Sequence, residues 1–206
     1  MIPVQFITHH TDHISYEDSA MLALKGGCKW IQLRVKDGTD DELMPLAQRL
    51  RGACTEYGAT FIIDDRVELA EKVKADGVHL GKDDMPVPQA RARLGEGFII
   101  GGTANTLDDL RRLKRESADY AGCGPFRFTT TKQKLAPVIG LEGYRQLMAS
   151  LEEENIALPV CAIGGITLQD VIPILETGIQ GIAVSGAIIR AADPAAEMKR
   201  FLHADE

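Results

Sequence analysis

The sequence predicts an α/β protein built as a single (β/α)8 barrel, the TIM barrel, over residues 1–206, with its active site at the C-terminal ends of the strands. Three observations favour this fold. Strand-like and helix-like runs alternate along the whole chain, an order that implies parallel pairing of the strands. Eight such units fit into 206 residues, near the lower end of the range for this barrel. The strand-like runs are short and apolar, as expected of parallel strands covered on both faces. A doubly wound open sheet is the second choice.

Eight segments have the composition of buried parallel strands. They begin near residues 4, 30, 60, 77, 98, 120, 159 and 181, and they read VQFI, WIQLRV, TFIID, GVHL, FIIGG, YAGCG, PVCAIGG and GIAVSG. Eight helices are predicted between and after them, most clearly over residues 40–57, 67–74, 107–116, 141–154, 168–177 and 194–202. Thr106 and Thr167, each followed by an acidic residue in the first turn, predict two helix N-caps.

Composition and charge argue against several classes of function. The chain is 45% hydrophobic with a formal net charge of −7, which disfavours nucleic acid as a partner because such binding depends on clustered Lys and Arg. The N-terminus lacks signal-peptide features, and no segment approaches the roughly 20 apolar residues that span a bilayer, so no membrane partner is expected. The four cysteines have no CxxC spacing, which predicts buried reduced thiols in a cytoplasmic protein. A homo-oligomer is compatible with all of these observations.

Polar side chains are concentrated at the predicted strand ends, where a barrel of this kind builds its active site. In the second strand, Gln32, Arg34 and Lys36 recur with a period of two and should face the same side. Burying such a triplet is costly unless its members bind something. A bound anion and a set of ion pairs with neighbouring carboxylates explain the triplet about equally well.

Acidic pairs follow the third and fourth strands, Asp64–Asp65 and Asp83–Asp84. Neighbouring strand ends would bring one carboxylate of each pair to a shared cation, and Mg²⁺ prefers a few carboxylates together with water and phosphate oxygens. Capping of the following helices would account for one aspartate of each pair but not for the cations nearby. Carboxylate-bound metal beside Arg34 and Lys36 is typical of a diphosphate site.

Glycine-containing loops predict a second phosphate site. Gly164–Gly165 follows the seventh strand and Ser185–Gly186 the eighth, and these two loops commonly hold phosphate in such barrels. Glycine lets backbone amides approach an anion closely. The loop GCGPFRFTTTK at 122–132 adds three threonines and a lysine, although by itself it fits a polar surface loop equally well.

Several motifs occur in order along the chain: QLRVK at 32–36, DDRVELAEKVKADGVHLGKDD at 64–84, GPFRFTTTK at 124–132, AIGGIT at 162–167 and AVSGAI at 183–188. Through them the chain resembles the thiamine-phosphate synthase (thiamin-phosphate pyrophosphorylase) family over about residues 5–200. That family joins a hydroxymethylpyrimidine diphosphate to a thiazole phosphate, with release of diphosphate.

The resemblance implies a role for each motif. The residues implied to bind the pyrimidine diphosphate are Gln32, Arg34, Lys36, Asp64, Thr103 and Lys132. Those implied to bind the thiazole phosphate are Thr129, Thr130, Thr131, Gly165, Ser185 and Gly186, with Thr130 at a variable position. Asp65 and Asp84 are implied to hold Mg²⁺. Catalysis is implied to depend on Arg34, Lys36 and Lys132, which stabilise the departing diphosphate.

The chain departs from the family pattern at several positions. Asp64 replaces Asn, Lys82 replaces Gln, Thr103–Ala104–Asn105 replaces Ser-x-His, Gly186 stands where Ser is common, and Thr8–His9–His10 replaces Thr-Asp. The charge of Asp64 beside a diphosphate predicts weaker binding unless a cation compensates, and we expect Lys82 to do so. His79 is expected to be a hydrogen-bonded structural histidine.

Two alternatives to the synthase are retained. A TenI-type thiazole tautomerase shares the resemblance but lacks the diphosphate-binding residues and depends on a histidine after the fifth strand, where this chain has Asn105. A non-catalytic binder of phosphate ligands, altered at Asp64 and Thr103, is the other. The cations and carboxylates that the chain keeps, among them Arg34 and Lys36, favour the synthase.

Overall fold

A computed structural model describes residues 1, 3–128 and 137–206. It contains the strands β1 (Val4–Ile7), β2 (Trp30–Leu33), β3 (Thr60–Asp64), β4 (Gly77–Leu80), β5 (Ile99–Ala104), β6 (Tyr120–Cys123), β7 (Val160–Ile163) and β8 (Gly181–Val184). Each strand pairs in parallel with its neighbours in chain order, and β8 pairs with β1 to close the sheet. The predicted (β/α)8 barrel is therefore confirmed. The open sheet is wrong, because Phe6 of β1 pairs with Ile31 of β2 on one side and with Val184 of β8 on the other.

The helices of the described residues surround this barrel. They are α1 (Tyr16–Lys25), α2 (Asp40–Glu56), α3 (Val67–Val73), α4 (Val87–Leu94), α5 (Leu107–Arg115), α6 (Gly140–Glu153), α7 (Val171–Leu175), α8 (Gly186–Ile189) and α9 (Pro194–Leu202). Two helices follow β8, so the described residues contain one helix more than the eight predicted. The helix predicted over 168–177 begins as a 3-10 turn, Leu168–Asp170, and continues as α7. None of the helices over these ranges is long and apolar enough to cross a bilayer.

The two predicted N-caps are confirmed. Thr106 accepts a hydrogen bond from the Asp109 N–H at 3.2 Å, and the Asp109 carboxylate accepts one from the Thr106 N–H at 3.0 Å. At the N-cap Thr167, the Asp170 carboxylate accepts hydrogen bonds from the Thr167 N–H and hydroxyl, both at 2.7 Å, and the Asp170 N–H donates to the Thr167 carbonyl at 3.0 Å. Each of these capping arrangements satisfies backbone donors at the start of a helix that would otherwise have no partner, which explains why these helices begin where they do.

The second strand is shorter than predicted. It ends at Leu33 because the next amide, Arg34 N–H, donates to the Thr8 hydroxyl at 3.0 Å instead of to a strand carbonyl. Only Gln32 of the polar triplet is therefore in the strand, and the expectation that a continuous strand presents all three is wrong. Arg34 and Lys36 lie on the segment that follows and still line the same cavity as Gln32.

The inside of the barrel is partly polar. Strand residues in one alternating register, such as Phe6, Ile31 and Phe61, join the apolar core that the helices cover. The other register places Gln5 and Tyr120 inside. Gly101 makes room for the tyrosine, since a Cβ there would lie 2.2 Å from its ring carbon Cζ.

Candidate active site

A cavity of about 430 Å³ opens at the C-terminal ends of the strands, between the segments that follow all eight. The cavity is lined by all the site residues that the resemblance implies and the structure describes. They are Gln32, Arg34, Lys36, Asp64, Asp65, Asp84, Thr103, Gly165, Ser185 and Gly186. The remaining predicted residues, Thr129, Thr130, Thr131 and Lys132, lie outside the described part of the chain. Closure of the barrel therefore brings together side chains that are far apart in sequence.

Arg34 and Lys36 face a pair of carboxylates at the ends of β2 and β3. Arg34 Nε lies 3.4 Å and Lys36 Nζ 3.3 Å from Asp64 Oδ2, and Lys36 also donates to the Asp65 carboxylate. Asp64 is only 8% exposed, whereas the Lys36 side chain is about half exposed. Of the two explanations that the sequence leaves open for the triplet, ion pairing with carboxylates is present for Arg34 and Lys36, and both cations also line the cavity.

Burial and neighbouring charges shift the pKa values of Asp64 and Lys36. Burial, and then the neighbouring charge of Asp65, raises the pKa of Asp64 to about 6 despite the two cations beside it. Burial alone would lower the pKa of Lys36, but Asp64 and then Asp65 outweigh that effect, so its pKa is raised. Lys36 is therefore a permanent cation, and Asp64 is the group whose charge is costly here.

Lys82 does not compensate Asp64, which corrects the sequence-based expectation. Its Nζ pairs with Asp109 Oδ2 at 2.6 Å, at the start of α5. The Asp109 carboxylate pairs with Lys82 and also accepts hydrogen bonds within its capping box. Burial alone would raise the pKa of Asp109, but these interactions outweigh it and hold the pKa below the ordinary value. Arg34 and Lys36 take the role that the sequence suggested for Lys82.

Asp65 occupies a strained turn directly after β3. Its φ of 63° lies in the left-handed region that residues with a side chain rarely adopt. Two hydrogen bonds of 2.8 Å hold it there, one from the Asp65 N–H to the His79 carbonyl and one from the Arg66 N–H to the Asp64 carbonyl. Arg66 is itself anchored by Asp40 at 2.9 Å. Strain held in this way at a cavity mouth indicates that the direction of the carboxylate matters.

Asp65 and Asp84 are close enough for each carboxyl group to shift the pKa of the other. Burial, and then the neighbouring carboxyl of Asp65, raises the pKa of Asp84 to about 6, while the Gly81 N–H donates to its Oδ2 at 2.6 Å. Burial opposes ionisation of Asp65 too, but hydrogen bonds from Asp84 and Lys36 keep its pKa below the ordinary value. Two neighbouring carboxyl groups that disfavour each other's charge offer oxygen ligands to a divalent cation, which would relieve that repulsion.

The donor set at this pair suits a cation that keeps part of its water shell. Nowhere in the residues with assigned positions do three or more His, Cys, Asp or Glu side chains form a cluster able to hold a metal. A two-carboxylate site fits Mg²⁺, which commonly takes one or two protein carboxylates and completes its shell with water and substrate phosphate.

Buried hydrogen bonds connect five strands beneath the cavity. Gln32 Nε2 donates to Gln5 Oε1 at 3.2 Å, and Gln5 Nε2 donates to the Tyr120 hydroxyl at 3.1 Å. His79 Nδ1 lies 3.1 Å from the same hydroxyl, and its Nε2 lies 3.1 Å from Thr103 Oγ1. His79 thus has the hydrogen-bonded surroundings expected of it. Burial raises the pKa of Tyr120, which keeps the phenol neutral and able to donate.

The opposite side of the barrel mouth is lined by glycine backbone. Gly164 and Gly165 have φ values of 103° and 72°. A Cβ on Gly165 would lie 2.5 Å from Cγ of Arg127, whose guanidinium donates to the Gly165 carbonyl at 3.0 Å and to both carboxylate oxygens of Asp170 at 2.7 Å. This turn therefore requires glycine and is held in place from outside the cavity.

The sequence did not identify several lining or supporting residues as site residues. Gln5 and Tyr120 lie in short apolar runs, and a polar residue in a buried strand was the only signal for them. His9 and Arg190 also line the cavity. Asn105, which replaces the histidine of the tautomerase alternative, donates its amide to the Gly124 carbonyl and so supports the neighbouring loop.

Comparisons with known proteins agree with this geometry. The family model described as thiamine monophosphate synthase matches residues 4–188. A thiamine-phosphate synthase of Phocaeicola vulgatus is 62% identical over 98% of this chain and 97% of its own, and one of Bacteroides thetaiotaomicron is 57% identical over the same shares. The solved structure of a thiamine phosphate pyrophosphorylase from Pyrococcus furiosus superposes with a TM-score of 0.85 at 34% identity, covering 98% of this chain and 95% of that one.

The match extends well beyond isolated motifs. The family model covers most of the barrel, and the two bacterial relatives cover nearly all of it at more than half identity. The chain therefore belongs to the thiamine-phosphate synthase family of transferases.

Proposed function

We propose that the protein, as one barrel domain over residues 1–206, condenses 4-amino-2-methyl-5-hydroxymethylpyrimidine diphosphate with 4-methyl-5-(2-phosphoethyl)thiazole or its carboxylated form. The products are thiamine phosphate and diphosphate, and the reaction belongs to thiamine biosynthesis. One observation carries the proposal. A single cavity has Arg34 and Lys36 beside a carboxylate pair on one side and glycine backbone on the other. The first side suits a diphosphate with a metal ion, and the second suits a monophosphate.

The chemistry requires positioning and charge rather than a protein nucleophile. The bond between the exocyclic CH2 and the diphosphate oxygen breaks, and its electron pair leaves with the diphosphate. The aminopyrimidine ring stabilises the positive charge left on the CH2. The lone pair of the thiazole nitrogen then forms the new C–N bond, which makes the thiazole a thiazolium. Holding both substrates in line supplies much of the rate enhancement.

The cations of the first side would bind the diphosphate and stabilise the charge that develops as it leaves. Arg34 and Lys36 would exchange their contacts with Asp64 for substrate oxygens, since Lys36 is exposed enough to turn toward the cavity. We assign Lys132 to the same task. Gln32 and Thr103 would hold the remaining polar atoms of the pyrimidine substrate. Asp64, at the same diphosphate site, would pair with the two cations until the substrate takes its place.

The second side would hold the thiazole phosphate. The residues assigned to it are Gly165, Ser185 and Gly186, together with Thr129, Thr130 and Thr131. Support comes from the glycine turn at 164–165, whose backbone faces the cavity without a side chain in between.

Asp65 and Asp84 would hold Mg²⁺. When bound, the ion supplies positive charge that neutralises the leaving diphosphate. The strained turn at Asp65 directs one carboxylate, and the Gly81 N–H fixes the other. We also propose a cytoplasmic location, because the four cysteines are buried free thiols.

The test is turnover with both substrates and Mg²⁺, with thiamine phosphate separated and quantified by chromatography. We expect Lys36→Ala to lower kcat/KM by about 100-fold, the scale on which removing one group that stabilises transition-state charge acts. Lys29→Ala is the matched control, because Lys29 precedes the same strand at the opposite end and bonds the Tyr57 carbonyl. Conversion of one thiazole isomer to another without the pyrimidine substrate would indicate the tautomerase instead, and binding without turnover would indicate a non-catalytic binder.

A further inference from the structure

Arg190 covers the glycine that replaces the common serine of the family. It directly follows α8, and its Nε donates to the Gly186 carbonyl at 3.4 Å. A Cβ built on Gly186 would lie 2.2 Å from Nη2 and 2.8 Å from Cζ of Arg190. The guanidinium therefore occupies the space that a side chain at position 186 would need, at the edge of the cavity.

The charge of Arg190 is not neutralised by any carboxylate in the described residues. The other Lys and Arg side chains there that line the cavity are all in ion pairs: Arg34 with Asp64, Lys36 with Asp64 and Asp65, and Lys82 with Asp109. Arg190 thus differs from these cations in having its charge available to a ligand.

The acidic residues that follow Arg190 are engaged elsewhere. Asp193 caps α9 by accepting a hydrogen bond from the Ala196 N–H at 3.0 Å. Glu197 pairs with Arg200 at 2.7 Å. Both line a shallow depression beside the main cavity, and Arg190 lines the depression as well as the cavity.

The positive charge also acts inside the cavity. His9, which lines the cavity from the end of β1, has a lowered pKa. Burial is the main cause, followed by the charges of His10, Arg190 and Arg34. The positive charges around this side of the cavity, Arg190 among them, therefore disfavour a further cation at His9.

We propose that Arg190 binds the phosphate of the thiazole substrate, and that glycine at position 186, where serine is common in the family, leaves room for its guanidinium. The inference rests on the proposed function. Glycine backbone at 164–165 and 186 offers hydrogen-bond donors but no net charge, whereas a phosphate dianion requires compensation. A guanidinium supplies both charge and a planar pair of donors. Gly186 is the residue that permits this approach, since any side chain there would displace the guanidinium.

Steady-state kinetics of Arg190→Ala tests the assignment. Loss of charge-assisted hydrogen bonds to phosphate should raise the KM for the thiazole phosphate by about 10- to 100-fold. The KM for the pyrimidine diphosphate should not change, and Arg190→Lys should recover part of the loss. Arg145→Ala, an exposed arginine on α6 that pairs with Glu142 and lies outside the cavity, is the matched control and should behave as wild type.

Phosphate discrimination separates binding from a structural role. With the unphosphorylated thiazole alcohol as substrate, Arg190→Ala and wild type should have similar kcat/KM, because the group that Arg190 contacts is missing. An equal loss with both thiazoles, or an unchanged KM for the phosphate, overturns the proposal. Thermal unfolding of each variant shows whether the fold is retained.

A second variant tests the role of Gly186 independently. Gly186→Ser should displace the guanidinium and raise the KM for the thiazole phosphate, while Gly186→Ser with Arg190→Ala should be no worse than Arg190→Ala alone. Strictly additive losses contradict the proposal. If wild type forms no thiamine phosphate, the proposed function fails. Calorimetric titration with thiazole phosphate then decides on Arg190 separately, since equal affinity of wild type and Arg190→Ala would overturn it.

Discussion

Tyr120 is the centre of the buried hydrogen bonds beneath the cavity, and Tyr120→Phe removes only its hydroxyl. The change leaves Gln5 Nε2 and His79 Nδ1 facing an aromatic edge, and both groups are at most 9% exposed. An unsatisfied buried polar group costs about 1–3 kcal/mol, so two cost about 2–6 kcal/mol. We expect about 3 kcal/mol, in the lower half of that range, because Gln5 keeps its bond from Gln32.

Urea unfolding followed by far-UV circular dichroism measures this loss. Fluorescence is less suitable, since the only tryptophan, Trp30, packs edge-on against Tyr120 at 5.0 Å and would respond directly. Tyr144→Phe is the control: it removes one buried hydroxyl that donates to the Cys123 carbonyl at 2.7 Å and should cost about 1 kcal/mol. Tyr120→Phe should also raise the KM for the pyrimidine diphosphate, because Thr103 depends on His79 for its position. A loss no larger than that of Tyr144→Phe would refute the reasoning.

Three further predictions concern the carboxylates. Asp65→Asn should raise the Mg²⁺ concentration for half-maximal rate by about 10-fold or more, since it removes one of two charged ligands; an unchanged Mg²⁺ titration would contradict the assignment. Asp64→Asn should strengthen pyrimidine diphosphate binding by freeing Arg34 and Lys36 from a competing anion, and weaker binding in calorimetry would show that the carboxylate assists them. Asp170→Asn should lower the free energy of unfolding at neutral pH but not at acid pH. The bonds of Asp170 to Arg127 and Thr167 outweigh burial and depress its pKa, so its contribution is complete above the unfolded-state pKa and disappears as pH falls through the folded one; a difference that persists in acid would contradict this.

Local patterns in the sequence were sufficient to predict the barrel. Short apolar runs alternate with helical periodicity, and Thr106 and Thr167 begin helices as capping residues do. These features depend on neighbours within a few positions, so the sequence displays them directly. The exact end of β2 could not be predicted from the sequence. It depends on the Thr8 hydroxyl, 26 positions before Arg34, which accepts a hydrogen bond from the amide that would otherwise extend the strand.

The composition of the site was predictable, but its pairing was not. The cavity collects the implicated residues of known position, because a closed parallel barrel places every strand end at one mouth. Which charges meet depends on side-chain direction: Lys82 turns to Asp109 at the start of α5 rather than to Asp64. Arg190 was missed although it lies only four positions after Gly186, because the sequence does not show that its side chain turns back over that glycine.

The central claim is that one cavity joins two phosphorylated heterocycles with loss of diphosphate. The most direct test is the stoichiometry of a single reaction that contains the pyrimidine diphosphate, the thiazole phosphate and Mg²⁺. We predict thiamine phosphate and diphosphate in equal amounts, with neither product formed when the thiazole is left out. Diphosphate release without thiamine phosphate, or no reaction with both substrates present, would contradict the claim.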